Sequence, residues 1–405
     1  MSDNPLAKLK TIEDFNLNNK SVFLRLDLNV PLKDGKITDE TRIMAALPTL
    51  KYALEHGAKL VVASHLGRPK TEQDRAKYSL QPVAERLSDL LGVEVILVEE
   101  PNSDAPKALR GSLNSKKIVM LENLRFDKDE TKNGSRLAEV IASYTDIYIN
   151  DAFGASHRAH ASIVGVPERV KQNGIGFLIK KEVEMLEKVR QASSHPYWAV
   201  LGGAKVSDKI SVIENLIDKV DGLIIGGAMA YTFLAAQGKS VGKSLLEKDK
   251  VGLAKELLDR YVVRKKQFLI PLDHRVVSDL DNVDSLKVTA DANIEDSMMG
   301  VDIGPKTEEL YCRILSQAQL IFWNGPMGVF EKPEYAKGTF AVAEAIANNP
   351  HTTIVGGGDS AAAAAASGYA DKFTHISTGG GASLEYLQGG VLPGLEILMH
   401  KKKRE

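Results

Sequence analysis

The stretch WAVLGGAKVSDK at 198–209 contains the pattern that decides the fold, because an apolar, strand-like run ends there at paired glycines and a helix start follows. Four more apolar runs of the second half end in glycine in the same way, at 223–227, 320–325, 352–358 and 374–381. Strand-like runs alternate with segments of helical period, which is typical of a parallel sheet with helices on both faces. The sequence therefore predicts a doubly wound α/β fold.

The strand-like runs of the first half end in charged or polar side chains instead. They lie at 24–29, 61–68, 119–125 and 147–158. Because open α/β sheets bind ligands at the carboxyl ends of their strands, the two halves are predicted to present different sites. Glycine backbone suits a polyphosphate, whereas guanidinium and imidazole groups suit a small anion. A protein that holds a nucleotide opposite a compact anion is most simply a kinase.

Length and composition limit the number of domains and the class of protein to be expected. A chain of 405 residues predicts two domains, each with a core of its own. The 43% apolar and 26% charged residues are typical of a globular protein, and a net charge of -1 argues against bulk attraction to nucleic acid or membrane. The single cysteine, Cys312, excludes an intrachain disulfide framework, and residues 1–10 contain no apolar signal segment. We therefore expect a cytoplasmic protein.

An amphipathic helix is predicted at 179–192, between the two halves, because Val183, Leu186 and Val189 recur at a spacing of three and the opposite face is charged. We interpret it as a linker that ends at a domain boundary. Further helices are predicted at 40–55, 82–91, 207–220, 306–318 and 339–348. The lysine-rich end at 400–405 is interpreted as a solvated tail.

The motif GGGDSA at 356–361 follows a strand and opens a helix, so backbone amides and the helix dipole would face an anion. It also fits the dinucleotide pattern G-x-G-x-x-A. However, the next strand ends in STGGG at 377–381, where a nicotinamide site needs an acidic residue for the ribose, so that cofactor is disfavoured. Asp359 would repel phosphate unless Mg²⁺ lies between them, although it could also be a plain helix N-cap.

Lys205 and Lys209 follow the glycine corner at the start of the predicted helix 207–220. One helical turn apart, both ammonium groups would face one point. Such a pair is often only a solvated face, but its position at a strand end favours phosphate binding. The segment GKSVGKS at 238–244 has one residue too few between its glycines for a P-loop, and we interpret it as a surface connection.

In the first half, separate strand ends carry arginine or histidine, in the motifs RLDLNVP at 25–31, SHLGRP at 64–69, LENLRF at 121–126 and HRAH at 157–160. Asp27 and Asn29 offer acceptors that suit hydroxyl groups, and His65 and Arg68 are interpreted as two cations. One such arginine is more often a surface ion pair. Several at one sheet edge favour a small acid that bears phosphate. The long basic stripes with interleaved aromatics that a nucleic-acid groove needs are absent from the sequence.

The chain resembles the phosphoglycerate kinase family over essentially its whole length. The resemblance rests on these motifs together with SHRAHAS at 156–162, LGGAKVSDKI at 201–210, FWNGPMGVFE at 322–331 and STGGGASLEYL at 377–387. It implies two Rossmann-like, doubly wound domains joined by a linker helix. The expected boundaries are 1–180 plus the returning C-terminal segment 391–405 for the 3-phosphoglycerate domain, 181–195 for the linker helix and hinge, and 196–390 for the nucleotide domain.

The resemblance also implies roles for individual residues. Those matched to 3-phosphoglycerate or 1,3-bisphosphoglycerate are Asp27, Asn29, Arg42, His65, Arg68, Arg125 and Arg158. Those matched to ATP or ADP are Lys205, Lys209, Gly226, Gly227, Asn324, Glu331, Gly356, Gly357, Gly358, Asp359, Ser360, Gly380 and Gly381. Asp359 would be the Mg²⁺ ligand. The groups that would stabilise the charge of the transferring phosphoryl group are Arg42, Lys205, and the helix starts at Gly358 and Gly380.

The predicted function is glycolytic or gluconeogenic: reversible phosphoryl transfer between 1,3-bisphosphoglycerate and MgADP, directly in line and after domain closure. The resemblance further implies a monomer. Two alternatives remain at this point. One is an NAD-dependent dehydrogenase on a similar sheet. The other is a two-lobe anion-binding protein, which would keep the arginine edge but would not need Lys205, Asp359 and the glycine corners together.

Overall fold

The chain divides into two compact units in the computed structural model, which describes residues 5–114, 116–390 and 392–399. Within the described residues, one unit holds the chain up to Glu184 together with 392–399, and the other holds Met185–Gly390. The division between Glu184 and Met185 falls inside the segment predicted as the linker. The lysine-rich end at 400–405, predicted to be a solvated tail, lies outside the described residues.

A six-stranded parallel sheet forms the centre of the first unit. The strands of this unit are β1 (Ser21–Leu26), β2 (Leu32–Lys33), β3 (Lys36–Ile37), β4 (Lys59–Ala63), β5 (Glu94–Val98), β6 (Lys117–Leu121), β7 (Ile147–Asp151) and β8 (Gln172–Ile175). Its helices are α1 (Thr41–Glu55), α2 (Gln81–Leu91), α3 (Ala105–Leu109), α4 (Lys128–Lys132), α5 (Ser135–Ser143), α6 (Val166–Arg169) and α7 (Phe177–Arg190), the last of which continues into the second unit. The sheet order is β5-β6-β4-β1-β7-β8, and β2 pairs only with β3.

The second unit repeats this plan. Its strands are β9 (Tyr197–Leu201), β10 (Gly222–Ile225), β11 (Gln267–Leu269), β12 (His274–Val277), β13 (Lys287–Val288), β14 (Met299–Ile303), β15 (Leu320–Asn324), β16 (Thr352–Val355) and β17 (His375–Ile376). Its helices are α8 (Ile210–Leu216), α9 (Met229–Ala236), α10 (Val251–Val263), α11 (Pro305–Leu315), α12 (Lys337–Ala347), α13 (Gly358–Ala366) and α14 (Gly381–Leu387). The parallel sheet runs β11-β10-β9-β15-β16-β17, and β12 pairs antiparallel with β13 and β14 in a small separate sheet.

The predicted fold class is confirmed, since each unit is an α/β body around a parallel sheet. In the first sheet the order reverses at β1, with β4, β6 and β5 on one side and β7 and β8 on the other. In the second sheet the order reverses at β9. Such reversal points are where open α/β sheets bind ligands. Among the described helices, none combines the length and the apolarity that crossing a bilayer requires.

One predicted helix is wrong in its extent. The segment 207–220 forms a helix only over Ile210–Leu216. Ser207 does not open it, because its amide and its hydroxyl both donate to the carboxylate of Glu247, at 3.1 and 2.6 Å. A turn precedes the helix instead, closed by a 2.8 Å hydrogen bond from the Lys209 amide to the Val206 carbonyl.

Strand β1 is buried on both faces, which its sequence SVFLRL shows only in part. On one face, Val22, Leu24 and Leu26 belong to the large core cluster of the first unit. On the other face, Phe23 stacks against Tyr148 with ring centroids 6.0 Å apart. Arg25 lies on that second face and is fully buried at the strand's carboxyl end, so its charge needs partners inside the protein.

The C-terminal helix, α15 (Pro393–Met399), packs on the first unit. The Gly394 amide donates to the Ser156 carbonyl at 2.9 Å, and the Gly394 carbonyl accepts from Nδ2 of Asn150 at 3.4 Å. Leu395 and Leu398 are buried. The helix therefore lies against the loop that follows β7.

Asp151, at the end of β7, ties this strand to the start of α7. Its Oδ2 accepts from the Thr49 hydroxyl at 2.5 Å and its Oδ1 accepts from the Ile179 amide at 3.1 Å, while Thr49 also accepts from the Phe177 amide at 3.0 Å. Burial raises the pKa of Asp151 to about 7, although these donors favour the ionised form. Thr49 thus satisfies both a buried carboxyl group and an otherwise free helix amide.

We expect Thr49→Val to lower the stability of this junction by about 1–3 kcal/mol, because a same-sized apolar side chain removes a donor from the buried Asp151 carboxyl group and the acceptor of the Phe177 amide. Hydrogen–deuterium exchange of peptides that cover 147–151 and 177–183 measures this opening directly. Thr131→Val, on the exposed side of α4, is the matched control. Equal protection in the two variants would show that the Thr49 hydroxyl contributes nothing.

Candidate active site

Four adjacent strands of the first sheet, in the order β6-β4-β1-β7, deliver the polar residues that the sequence singled out. Arg125 follows β6, His65 and Arg68 follow β4, Asp27 follows β1, and Arg158 follows β7. Because the strands are parallel, their carboxyl ends lie at one edge of the sheet. The structure therefore brings these residues to one edge, and the motifs that are far apart in the sequence become neighbours.

A cavity of about 480 Å³ opens at this edge. Its lining residues are Arg68, Pro69, Arg125, Asp127, Lys128, Thr131, Lys132, Arg158 and His160. Five arginine or lysine side chains face a single carboxylate in this wall. The summed field of such a wall attracts anions and raises their local concentration.

Arg125, one of the three arginines in the cavity, has only some of its donors satisfied by the described residues. One guanidinium nitrogen donates to the Gly67 carbonyl, and its buried Nε finds no acceptor among the described residues. Burial lowers its pKa to about 10, and repulsion from Arg158 and Arg25 acts in the same direction. The group remains charged at neutral pH, so a bound anion would relieve an unfavourable arrangement of like charges.

Asp27, Asn29 and Arg42 lie beside the cavity and are not part of its described wall. Arg42, in the first turn of α1, donates to the Asp27 carboxylate. Asn29 accepts from the Gly67 amide at 2.8 Å and so contacts the same loop that holds Arg125. Burial acts to raise the pKa of Asp27, but the neighbouring positive charges and the Asn29 amide bring it below its usual value. Asp27 is therefore an ionised acceptor at neutral pH.

The interpretation of His65 as a cation is wrong. The residue is 6% exposed, and burial lowers its pKa to about 3. Arg25 and Arg125 oppose its protonation further, against the attraction of Asp27 and Glu130. His65 is therefore uncharged at neutral pH, which sequence alone could not indicate because a motif does not reveal the burial of a ring.

The glycine corners of the second sheet are joined to one another. They follow β10, β9, β15 and β16, which are adjacent. The Gly202 amide donates to the Asn324 carbonyl at 2.9 Å, the Gly226 amide to the Leu201 carbonyl at 2.9 Å, and the Gly356 amide to the Trp323 carbonyl at 2.8 Å. Each corner is thus held by the end of the neighbouring strand.

These glycines serve two different purposes. Gly226 and Gly227 are buried, and a Cβ on Gly227, whose φ is +65°, would lie 2.5 Å from the Gly203 amide nitrogen. Gly358 and Gly380 are different, because a Cβ at either position would meet no atom within 4 Å in the described part of the chain. The corner glycines allow backbone to pack on backbone, whereas Gly358 and Gly380 leave backbone open to a ligand.

A polar network joins the corners. Lys209 donates its ammonium group to Oδ1 of Asn324, and Nδ2 of Asn324 donates to the Gly356 carbonyl at 2.5 Å. The Ser360 hydroxyl accepts from the Gly325 amide at 2.6 Å and donates to the Gly356 carbonyl at 2.7 Å. Burial lowers the pKa of Lys209, against the attraction of nearby carboxylates. The Ser360 hydroxyl is thus occupied in holding two corners together.

Lys205 and Lys209 are not one helical turn apart. The segment that joins them is a loop, and Lys209 is the residue before α8. Lys205 is exposed in this loop, and Glu331 is exposed beyond β15. The ammonium group of Lys209 is instead fixed by Asn324.

Asp359 is the second residue of α13 and is exposed, while the cap position belongs to Gly357. The reading of Asp359 as a plain N-cap is therefore wrong. Among the described residues, no group of three or more histidine, cysteine or acidic side chains is placed to hold a metal ion. One carboxylate at the mouth of an anion site still fits Mg²⁺, which is commonly held by one or two carboxylates, substrate phosphates and water.

Comparison with known proteins identifies the family. The phosphoglycerate kinase family model matches residues 12–390. A phosphoglycerate kinase of Bdellovibrio bacteriovorus is 61% identical over 395 residues, which cover 98% of each chain. That of Clostridium perfringens is 51% identical over 395 residues, covering 97% of this chain and 99% of that one. The chain belongs to the phosphoglycerate kinase family.

The fold of a phosphoglycerate kinase from Coxiella burnetii agrees with this membership, at a TM-score of 0.88 and 39% identity, covering 98% of this chain and 100% of that chain. Members of this family are kinases of glycolysis. The chain is therefore an enzyme, and neither a dehydrogenase nor a non-catalytic anion-binding protein finds support in these relatives.

Sequence reasoning did not single out Asp127, Lys128, Thr131 and Lys132 in the cavity wall of this phosphoglycerate kinase family member. The i, i+4 spacing of the two lysines predicts that they share a helix face, but a run such as KDETK is normally a solvated surface. Glu130, in the same run, is fully buried. No local signal distinguishes it from its exposed neighbours.

We expect Gly227→Ala to cost about 1–3 kcal/mol more than Gly238→Ala, because an extra methyl group overpacks a closed corner only at position 227. Both glycines have positive φ, at +65° and +77°, but a Cβ on Gly238 would meet no described atom within 4 Å. Urea unfolding followed by the fluorescence of the buried Trp323 measures the difference. Equal midpoints for the two variants would contradict the close approach of the corners.

Proposed function

We propose that the chain transfers a phosphoryl group reversibly between 1,3-bisphosphoglycerate and MgADP, giving 3-phosphoglycerate and MgATP. The observation that carries this proposal is the cationic cavity whose wall follows β4, β6 and β7 in a member of this kinase family. The open helix starts and lysines of the second unit support a nucleotide site there.

The first unit supplies the groups that a small phosphorylated acid requires. Arg68, Arg125 and Arg158 can bind phosphate or carboxylate oxygens bidentately. Asp27 and Asn29 present acceptor oxygens beside this wall, which suits the hydroxyl group of 3-phosphoglycerate. Donors and acceptors at the ends of several strands would bind both ends of the molecule and hold its carboxylate at a defined position.

The second unit supplies the groups that suit ATP or ADP. Lys205 is exposed after β9, and Gly358 and Gly380 leave backbone amides open at two helix starts. Asp359 would hold Mg²⁺, which when bound screens the negative charge of the nucleotide phosphates. Lys209 and Asn324 hold the corner beside this site in shape.

Positioning and charge neutralisation carry the proposed reaction. The carboxylate of 3-phosphoglycerate is itself the nucleophile or the leaving group, so the chain needs no covalent nucleophile and no general base. Arg42 and Lys205 would stabilise the charge of the transferring group. Two unit charges 4 Å apart attract by about 1 kcal/mol in water but by about 4 kcal/mol at an effective dielectric constant near 20, so excluding water strengthens these contacts.

Direct transfer requires the two substrates to meet, so the proposal includes closure of the two units about the linker. We expect the radius of gyration from small-angle X-ray scattering to fall when 3-phosphoglycerate and a non-hydrolysable MgATP analogue are added together. The same data test a monomer, at 44.1 kDa. No change with both ligands bound would contradict closure.

A coupled assay tests the reaction. We expect 3-phosphoglycerate and MgATP to give 1,3-bisphosphoglycerate, followed as NADH loss through glyceraldehyde-3-phosphate dehydrogenase, and EDTA to abolish it. Asp359→Ala should reduce turnover by at least about 10²-fold, because phosphate charge would then lie unscreened. Asp296→Ala, an exposed aspartate elsewhere in the same unit, is the control. Folded protein that binds both ligands without turnover would sink the proposal.

We expect Arg42→Ala to lower kcat by about 10²–10³-fold with little change in KM, because its charge acts mainly on the transition state. Steady-state kinetics with 3-phosphoglycerate varied measures the split. Arg110→Ala, which removes a surface arginine paired with Asp146, should leave both constants unchanged. A rise in KM with kcat unchanged would contradict this prediction and show that Arg42 acts in ground-state binding only.

A further inference from the structure

Arg25 lies behind the proposed 3-phosphoglycerate site and is completely buried. Its Nε donates to the Ser162 hydroxyl at 2.8 Å, one terminal nitrogen donates to the Leu26 carbonyl, and the other lies 3.2 Å from Nδ1 of His65. Its counter-charge is Glu130, 3.8 Å away and equally buried. Contacts on several sides hold this guanidinium in one place.

The chemistry of the guanidinium group determines how His65 can be protonated. Every nitrogen of arginine is a donor, and the group has no acceptor. At 3.2 Å from Arg25, Nδ1 of His65 must therefore accept, so it carries no proton. A neutral imidazole has one N–H, and this leaves the proton on Nε2.

We propose that Arg25 is a positioning residue that holds His65 in the neutral Nε2–H form, so that His65 serves the substrate as an uncharged hydrogen-bond donor. The proposal deepens the proposed function and rests on it for the identity of the ligand. The tautomer itself depends only on the contact between Arg25 and His65.

The charges around His65 act in both directions, and burial decides between them. Arg25 on β1 and Arg125 after β6 oppose an imidazolium, while Asp27 after β1 and Glu130 on α4 favour one. Glu130 is itself occupied, because it accepts from the Ser162 amide at 3.0 Å and from the Ser162 hydroxyl at 2.7 Å. Burial adds to the opposing side and lowers the pKa of His65 to about 3.

The arginines and His65 therefore contribute to substrate binding in different ways. Arginines carry the charge that attracts the anion, and His65 adds a directional hydrogen bond without further positive charge. Substrate affinity should therefore not change through His65 between about pH 5 and 8, a range in which an ordinary histidine titrates.

The tautomer is tested by nitrogen-15 spectroscopy of protein labelled in its nine histidines, with the His65 signals assigned by their loss in His65→Gln. We expect Nδ1 of His65 to be unprotonated and Nε2 protonated from pH 8 down to pH 5. In Arg25→Met, Nδ1 should gain a proton within this range, because the donor that requires it to accept is gone. Ser162→Ala removes a neighbouring partner of Arg25 but keeps the Nδ1 contact, so it should retain the wild-type signals.

Kinetics of two His65 variants test the donor role and do not depend on the folding of Arg25→Met. The amide nitrogen of glutamine can take the place of Nε2, whereas that of asparagine takes the place of Nδ1. We expect His65→Gln to keep KM for 3-phosphoglycerate within about threefold and His65→Asn to raise it at least about tenfold, because only the first preserves the donor.

An imidazolium at pH 6–7, or a proton on Nδ1, would overturn the proposal, as would equal losses in His65→Gln and His65→Asn. These outcomes are distinct from failure of the proposed function. Should the wild-type protein not turn over 3-phosphoglycerate, the spectroscopy would still decide whether Arg25 fixes the tautomer.

Discussion

Parallel strand pairing is the constraint on which the rest of this structure depends. The strands of each six-stranded sheet are parallel, so their carboxyl ends lie at a common edge. The order reverses at β1 and at β9, and the loops beside these strands carry the residues proposed for substrate and nucleotide. A crossover helix separates successive strands of the sheet, which is why residues as far apart in sequence as Asp27 and Arg158 can lie at the same edge.

The like charges at the edge of the first sheet repel one another, and a buried carboxylate inside the unit offsets this repulsion. Arg25 and Arg125 repel each other's charge, and a buried carboxylate, Glu130, lies behind them. Burial acts to raise the pKa of Glu130, but His160, Arg25 and Ser162 hold it at about 2, so it stays ionised. A paired charge of this kind allows the arginines to remain close together before any anion binds.

The proposed nucleotide site of the second unit depends on backbone amides that stay accessible to a ligand. Corner glycines such as Gly227 let neighbouring strand ends pack directly on one another. Lys209, Asn324 and Ser360 then hold the corners together through side chains. Gly358 thus begins α13 beside corners that side-chain hydrogen bonds hold together.

The sequence by itself determined the α/β class, the two sheets, and the motifs that identify the family, because strand period, glycine corners and motif spacing are local properties of the chain. It did not determine where α8 begins, which is Ile210 and not Ser207, because Glu247, 40 residues away, accepts from the donors of Ser207. Nor did it determine that His65 is uncharged or that Glu130 is buried. Those properties depend on which distant groups surround a side chain, and only the tertiary structure decides burial and the partners that a buried charge receives.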